Sequence, residues 1–221
     1  MPDSARTIDD ESPAALLRLC PAHAPTPLVA APRLAAALGL AGVLVKDEGR
    51  RALGSFKALG GVYAGLRALA RAARLPTASL LERGRAARTF PALVCASDGN
   101  HGLAVAAAAR LAGTPALVFL PDIVPAARAA RIAAKGAEIV RVAGTYDDAV
   151  RAAARAARER GGLLIADTSG DEGDPVVAAV MAGYQIVADE IRAQLFGGAH
   201  ATPTHLFVQA GVGGLAAALA A

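Results

Sequence analysis

The chain has no tryptophan, three tyrosines and five phenylalanines, so aromatic residues make up only 4% of its 221 positions. Without stacking aromatics, a basic tail or a recognition motif, a net charge of +4 does not point to a nucleic-acid partner. Cysteine is limited to Cys20 and Cys95, far apart and in no metal-ligand spacing, which reads as free thiols in a reducing compartment. No apolar run approaches a bilayer span, since the stretch 103–120 is broken by Arg110, Gly113 and Pro115. The first thirteen residues are acidic and polar, unlike a signal or transit peptide. These absences predict a cytoplasmic chain with no membrane partner. What remains is 54% hydrophobic and 19% charged, the balance of a core-forming protein of one large or two small domains. Its arginines recur in alanine-rich segments such as 67–74 and 151–160, which read as solvated helix faces.

Short apolar runs alternate with longer helical ones, the pattern of an α/β protein built on a mainly parallel sheet. Strands are expected at 43–46, 92–95, 116–120, 138–142, 163–166 and 205–209. Helices are expected at 55–74, 102–112, 125–135, 146–160 and 175–195. Gly113-Thr114-Pro115, Lys135-Gly136 and Gly161-Gly162 supply the turn chemistry between them. The polar stretch 74–90 reads as a connection between domains. A last helix starts after Gly213-Gly214 and has barely begun at Ala221, which predicts a longer native chain.

Four features carry chemistry. With Ser55 as N-cap, Lys57 falls in the first turn of its helix, where its charge opposes the positive end of the helix dipole. A lysine in that field gives up its proton more easily, and a neutral amine is what Schiff-base chemistry on a carbonyl cofactor requires. The run Cys95-Ala96-Ser97-Asp98-Gly99-Asn100-His101-Gly102 follows a strand and opens a helix, the position at which open parallel sheets bind ligands. Gln209-Ala210-Gly211-Val212-Gly213-Gly214 repeats that design and can cradle a phosphate on backbone amides. It is neither a Walker motif nor a complete dinucleotide fingerprint. Asp167-Thr168-Ser169 places an acid at another strand's end, suited to proton work or to binding an amine, or serving as a simple helix cap.

In order and wording these segments resemble the fold-type II pyridoxal-phosphate family, the tryptophan synthase β-like enzymes. The resemblance rests on Pro25-Thr26-Pro27-Leu28, Lys46-Asp47-Glu48, Ser55-Phe56-Lys57-Ala58-Leu59-Gly60-Gly61 and the glycine loop, and runs from about Pro25 onward. Within the family the wording is most similar to the diaminopropionate ammonia-lyases, through Asp98-Gly99-Asn100-His101-Gly102, Asp167-Thr168, Gly183-Tyr184 and Pro203-Thr204-His205.

The resemblance implies an α/β fold of open, mainly parallel twisted sheets flanked by helices, in two domains. These would be a large cofactor domain from 1–61 and 165–221, lacking its C-terminal part, and a small α/β domain from 62–164. It implies pyridoxal 5'-phosphate bonded to Lys57 beside Phe56. Asn100 would contact the ring oxygen, and Gly211, Val212, Gly213 and Gly214 would hold the phosphate. Asp98 would act as a second base, Asp167 would hold or deprotonate the substrate, and His101 and Thr168 would line the substrate pocket. The implied reaction is α,β-elimination of 2,3-diaminopropionate to pyruvate and ammonia, by a homodimer acting on a small amino acid. A serine or threonine dehydratase-like lyase is the alternative, and a non-catalytic phosphate- or nucleotide-binding Rossmann-like fragment a second. The stretch Ser169-Gly170-Asp171-Glu172-Gly173-Asp174 departs from the pattern in lacking aromatic residues.

Overall fold

The computed structural model describes residues 12–17, 19–20, 23–82, 90–171, 173–196 and 202–221, so the acidic start of the chain lies outside the described residues. A short helix α1 (Pro13–Leu17) precedes β1 (Leu28–Ala30), α2 (Pro32–Leu38) and β2 (Leu44–Lys46). Proline at the first position of α2 and Gly39 in the left-handed region after it mark that helix's ends. The two strands pair antiparallel, with Leu28 opposite Lys46. Sequence reading found β2 but not β1, whose three residues lie directly behind the proline-rich run 25–27.

Two short 3-10 turns lead into α3 (Lys57–Ala73), followed by α4 (Ala78–Glu82), which lies in the stretch expected to be a bare connection. Arg51, in that lead-in, is locked in place. Its guanidinium gives two bonds to the Glu190 carboxylate, at 2.7 and 2.8 Å, and two to Glu48, at 2.9 and 2.6 Å. Lys46 Nζ adds a second cation on Glu190 at 2.7 Å, and the Thr26 amide donates to the same oxygen at 3.1 Å. Two cations and two carboxylates with their bonding capacity largely filled make this burial tolerable. They also fix the segment that delivers Lys57.

The central unit then alternates strictly. β3 (Leu93–Ala96), α5 (Asn100–Ala112), β4 (Ala116–Pro121), α6 (Ala126–Ala133), β5 (Glu138–Val142), α7 (Tyr146–Arg160) and β6 (Leu163–Leu164) build a four-stranded parallel sheet in the order β5-β4-β3-β6. Every residue of β3 and β4 is buried, as expected of inner strands covered on both faces. α7 starts with a capping box between Thr145 and Asp148 and stops at left-handed Gly161. α8 (Pro175–Phe196) and α9 (Gly214–Ala220) complete the described elements.

α3 packs between α5 and α8. A Cβ on Gly61 would fall 2.6 Å from that of Ala104, and one on Gly183 would fall 2.6 Å from Gly60 Cα, so the helices meet backbone to backbone. Three expectations fail. Ser55 does not cap α3: Phe56 holds the cap position, with no side-chain bond. Residues 205–209 form no strand, since no described strand pairs with them to satisfy their backbone groups. Arg67 is buried and not on a solvated face.

Candidate active site

The carboxyl ends of β3 and β6 open onto a cavity of about 780 Å³. Parallel pairing sets its geometry. Ile165 N bonds to Val94 O at 2.8 Å, extending the β6 register, so Asp167 emerges beside the loop that follows β3. That loop is built on Ser97, a buried hydroxyl accepting from the amides of Gly99 at 2.9 Å and Gly102 at 2.8 Å. Gly99 sits at φ 150°, a conformation closed to side chains, and a Cβ on Gly102 would strike Val118 at 2.7 Å. The loop therefore turns sharply and presents Asp98 and Asn100, both exposed, to the cavity.

Lys57, first residue of α3, reaches in from the opposite helix. Its Nζ donates to Asp167 Oδ2 at 2.6 Å, and Tyr146 Oη donates to Oδ1 at 3.3 Å. The cation is thus not left alone with the helix dipole, as the sequence suggested; a carboxylate only 6% exposed faces it. Burial alone would push the Asp167 carboxyl up. The positive charge His101 would bring if protonated, the charge of Lys57 and the two donors outweigh burial and hold it below the usual range. His101 itself is kept neutral by burial, so at neutral pH the opposing charge is that of Lys57. The neighbouring Cys95 thiol is fully buried and pushed up by the same desolvation, which makes it inert.

His101 lies at the cavity's edge but is almost wholly buried. Its Nε2 faces the Ile165 carbonyl oxygen at 2.8 Å, so Nε2 carries the proton and Nδ1 is left as an unpartnered acceptor beneath α3. Phe56 is half-buried, edge-on to Tyr184 with centroids 5.0 Å apart. On the far wall, Gly211, Val212, Gly213 and Gly214 line the cavity ahead of α9. Gly213 needs its glycine, at φ 88°. Thr168 is the exception: exposed and not on the cavity wall. Sequence reading missed Ser97, Tyr146, Tyr184, Arg128 and Arg131 as wall residues. The first lay inside a quoted motif, Tyr184 in another, and nothing local marks the rest.

The donor set fits pyridoxal phosphate. A lysine amine can bond an aldehyde, side-chain-free backbone at a helix start can hold a phosphate, and Asn100 can meet a ring oxygen. Comparison with known proteins agrees. A family profile described as "Pyridoxal-phosphate dependent enzyme" matches residues 19–221. A diaminopropionate ammonia-lyase of Salmonella typhimurium is 38% identical over 206 residues, covering 89% of this chain and 50% of that protein. The crystal structure of the Escherichia coli diaminopropionate ammonia-lyase in complex with D-serine superposes with a TM-score of 0.85 at 33% identity, over 97% of this chain and 56% of that one. A chloroplastic biosynthetic threonine dehydratase of Solanum lycopersicum is 33% identical over 196 residues, 89% of this chain and 28% of that protein. The chain spans about half the length of the ammonia-lyases it matches. It belongs to the family of pyridoxal-phosphate-dependent enzymes.

Proposed function

We propose that this chain carries the catalytic lysine and cofactor cradle of a carbon–nitrogen lyase that eliminates ammonia from 2,3-diaminopropionate and leaves pyruvate. The observation that carries the reading is one cavity bounded by the Lys57 amine, the carboxylates of Asp98 and Asp167, and the glycine loop. Bound at Lys57, pyridoxal phosphate supplies the electron sink that makes a substrate Cα acidic.

The chain's own groups do the rest. Backbone amides from Gly211 to Gly214 bind the phosphate, Phe56 flanks the lysine, and the Asn100 amide meets the ring oxygen. Asp167 orients Lys57 Nζ and holds the substrate amine. Lys57 Nζ takes the Cα proton from one enantiomer and an Asp98 carboxylate oxygen takes it from the other, which suits a site that accepts both hands. The D-serine bound by the Escherichia coli relative accords with an amino-acid substrate. We place the working protein in the cytoplasm as a homodimer, with residues 1–61 and 165–221 forming a cofactor domain and 62–164 a small domain.

The second reading, a serine or threonine dehydratase-like lyase, is favoured by the 33% identity to the plant dehydratase. One experiment addresses both. Purified protein given pyridoxal phosphate should absorb in the visible, and borohydride should fix the cofactor on Lys57. Diaminopropionate should then release pyruvate faster than serine does, or than threonine releases 2-oxobutyrate. An adduct that persists in Lys57→Ala overturns the lysine assignment, and faster turnover of threonine or serine decides for the dehydratase.

A further inference from the structure

Tyr184, on α8, is only 3% exposed, and its hydroxyl has no hydrogen-bond partner. A fold retains few buried hydroxyls in that condition, because each has given up water and received nothing. The ring's place is defined on several sides. It meets Phe56 edge-on, a Cβ at Gly60 would fall 2.5 Å from its Cε1, and one at Gly214 would fall 3.6 Å from its Cε2. Tyr184 therefore stands between the first turns of Lys57's helix and the first residue of α9, as part of the cavity wall. The nearby Asp167 carboxylate is occupied, with one oxygen taken by Lys57 and the other by Tyr146. Burial first, and then the charge of Asp167, push the Tyr184 hydroxyl up, so it remains a proton donor at any physiological pH.

We propose that the Tyr184 hydroxyl donates a hydrogen bond to the phosphate of the bound cofactor, as a side-chain complement to the backbone amides of the glycine loop. This rests on the reading that the loop from Gly211 to Gly214 holds the phosphate. The choice of phosphate over the ring follows from position, since the Tyr184 ring lies beside the glycine that opens α9, within 3.6 Å of where a Cβ on Gly214 would fall. The hydroxyl oxygen is buried in the wall, and the loop beside it is loosely packed: a Cβ on Gly211 or Gly213 would meet nothing within 4 Å. Tyr184 cannot retreat, because its neighbour Gly183 abuts the α3 backbone.

Tyr184→Phe removes the oxygen alone. Pyridoxal phosphate and pyridoxal, which lacks the phosphate, are each titrated into cofactor-free wild type and variant and followed by visible absorbance. Thermal unfolding of both cofactor-free proteins is recorded alongside. A lost hydrogen bond to a charged group should raise the Kd for pyridoxal phosphate about tenfold. The Kd for pyridoxal should be the same in both proteins, and the Tm of the cofactor-free variant should match or exceed that of wild type. Equal affinities for pyridoxal phosphate overturn the proposal, as does an equal loss for pyridoxal or a clear drop in the cofactor-free Tm. A wild type that takes up neither ligand overturns the cofactor reading beneath it.

Discussion

Asp167 is the residue on which the site's electrostatics converge. It is only 6% exposed at its side chain, yet it is ionised because Lys57 Nζ lies 2.6 Å away and Tyr146 donates to its other oxygen. Asp167→Asn keeps the shape and removes the charge, leaving a partly buried ammonium against a neutral amide. At pH 7 that should lower stability by about 1–3 kcal/mol, read as a shift in the urea midpoint. The gap should close as pH falls far enough to protonate the wild-type carboxylate. Equal midpoints at pH 7 would mean that the pair contributes nothing. The sequence marked both partners, Lys57 through its helix position and Asp167 through its strand end. It could not show that they meet, because 110 positions separate them. Lys57 was read as a cation made uncomfortable by a dipole, whereas the fold supplies the missing counter-charge. His101 lines the cavity's edge, as its polar loop suggested, but the sequence could not show that its Nε2 is taken up by the Ile165 carbonyl.

At the scale of elements, the crossing of α3 and α8 decides where Lys57 and Tyr184 sit. Two glycines make the crossing possible, and a methyl group on Gly183 would lie 2.6 Å from Gly60 Cα and 2.7 Å from Leu59 O. Those neighbours are backbone and cannot swing aside. Gly183→Ala should therefore cost about 2–3 kcal/mol through overpacking, even though alanine is the better helix former by about 1 kcal/mol. Denaturant unfolding measures it, and an unchanged or raised midpoint would contradict the close crossing. Such glycines were visible as wording but not as contact, since helical periodicity says nothing about which helix lies opposite. Longer elements were legible for a physical reason. α7, with a capping box and a terminal glycine, matches its expected 146–160, and β5 matches 138–142. The expected strand at 205–209 was an apolar run like the others. A strand, though, is a relation between two segments, and no described strand pairs with this one.

For the whole molecule, the alternating pattern was enough to give the parallel sheet, because each inner strand is a short apolar run between helices that cover it. Which ionisable groups are buried, and against what, was not legible, and that sets how the fold answers to pH. His101 is held neutral by burial, below its ordinary 6.5. The unfolded chain thus takes up that proton first, and stability present above about pH 6.5 is lost as pH falls towards the folded value. Burial would push Glu190 up, but Arg51 and Lys46 hold it below its ordinary 4.5, and Asp167 lies below its ordinary 3.8. Their contribution is present above those values and is lost as pH falls through the depressed ones. All three groups act with the same sign, so the urea midpoint should be level between about pH 7 and 8, begin to decline below about pH 6.5, and fall again below about pH 4.5. His101→Gln can still donate to the Ile165 carbonyl and should shrink the first decline while leaving the second; His23, also held below 6.5 by burial and the charge of Arg51, supplies what remains. If wild type is equally stable at pH 7.5 and 5.5, the buried histidine is not the neutral group that its surroundings require.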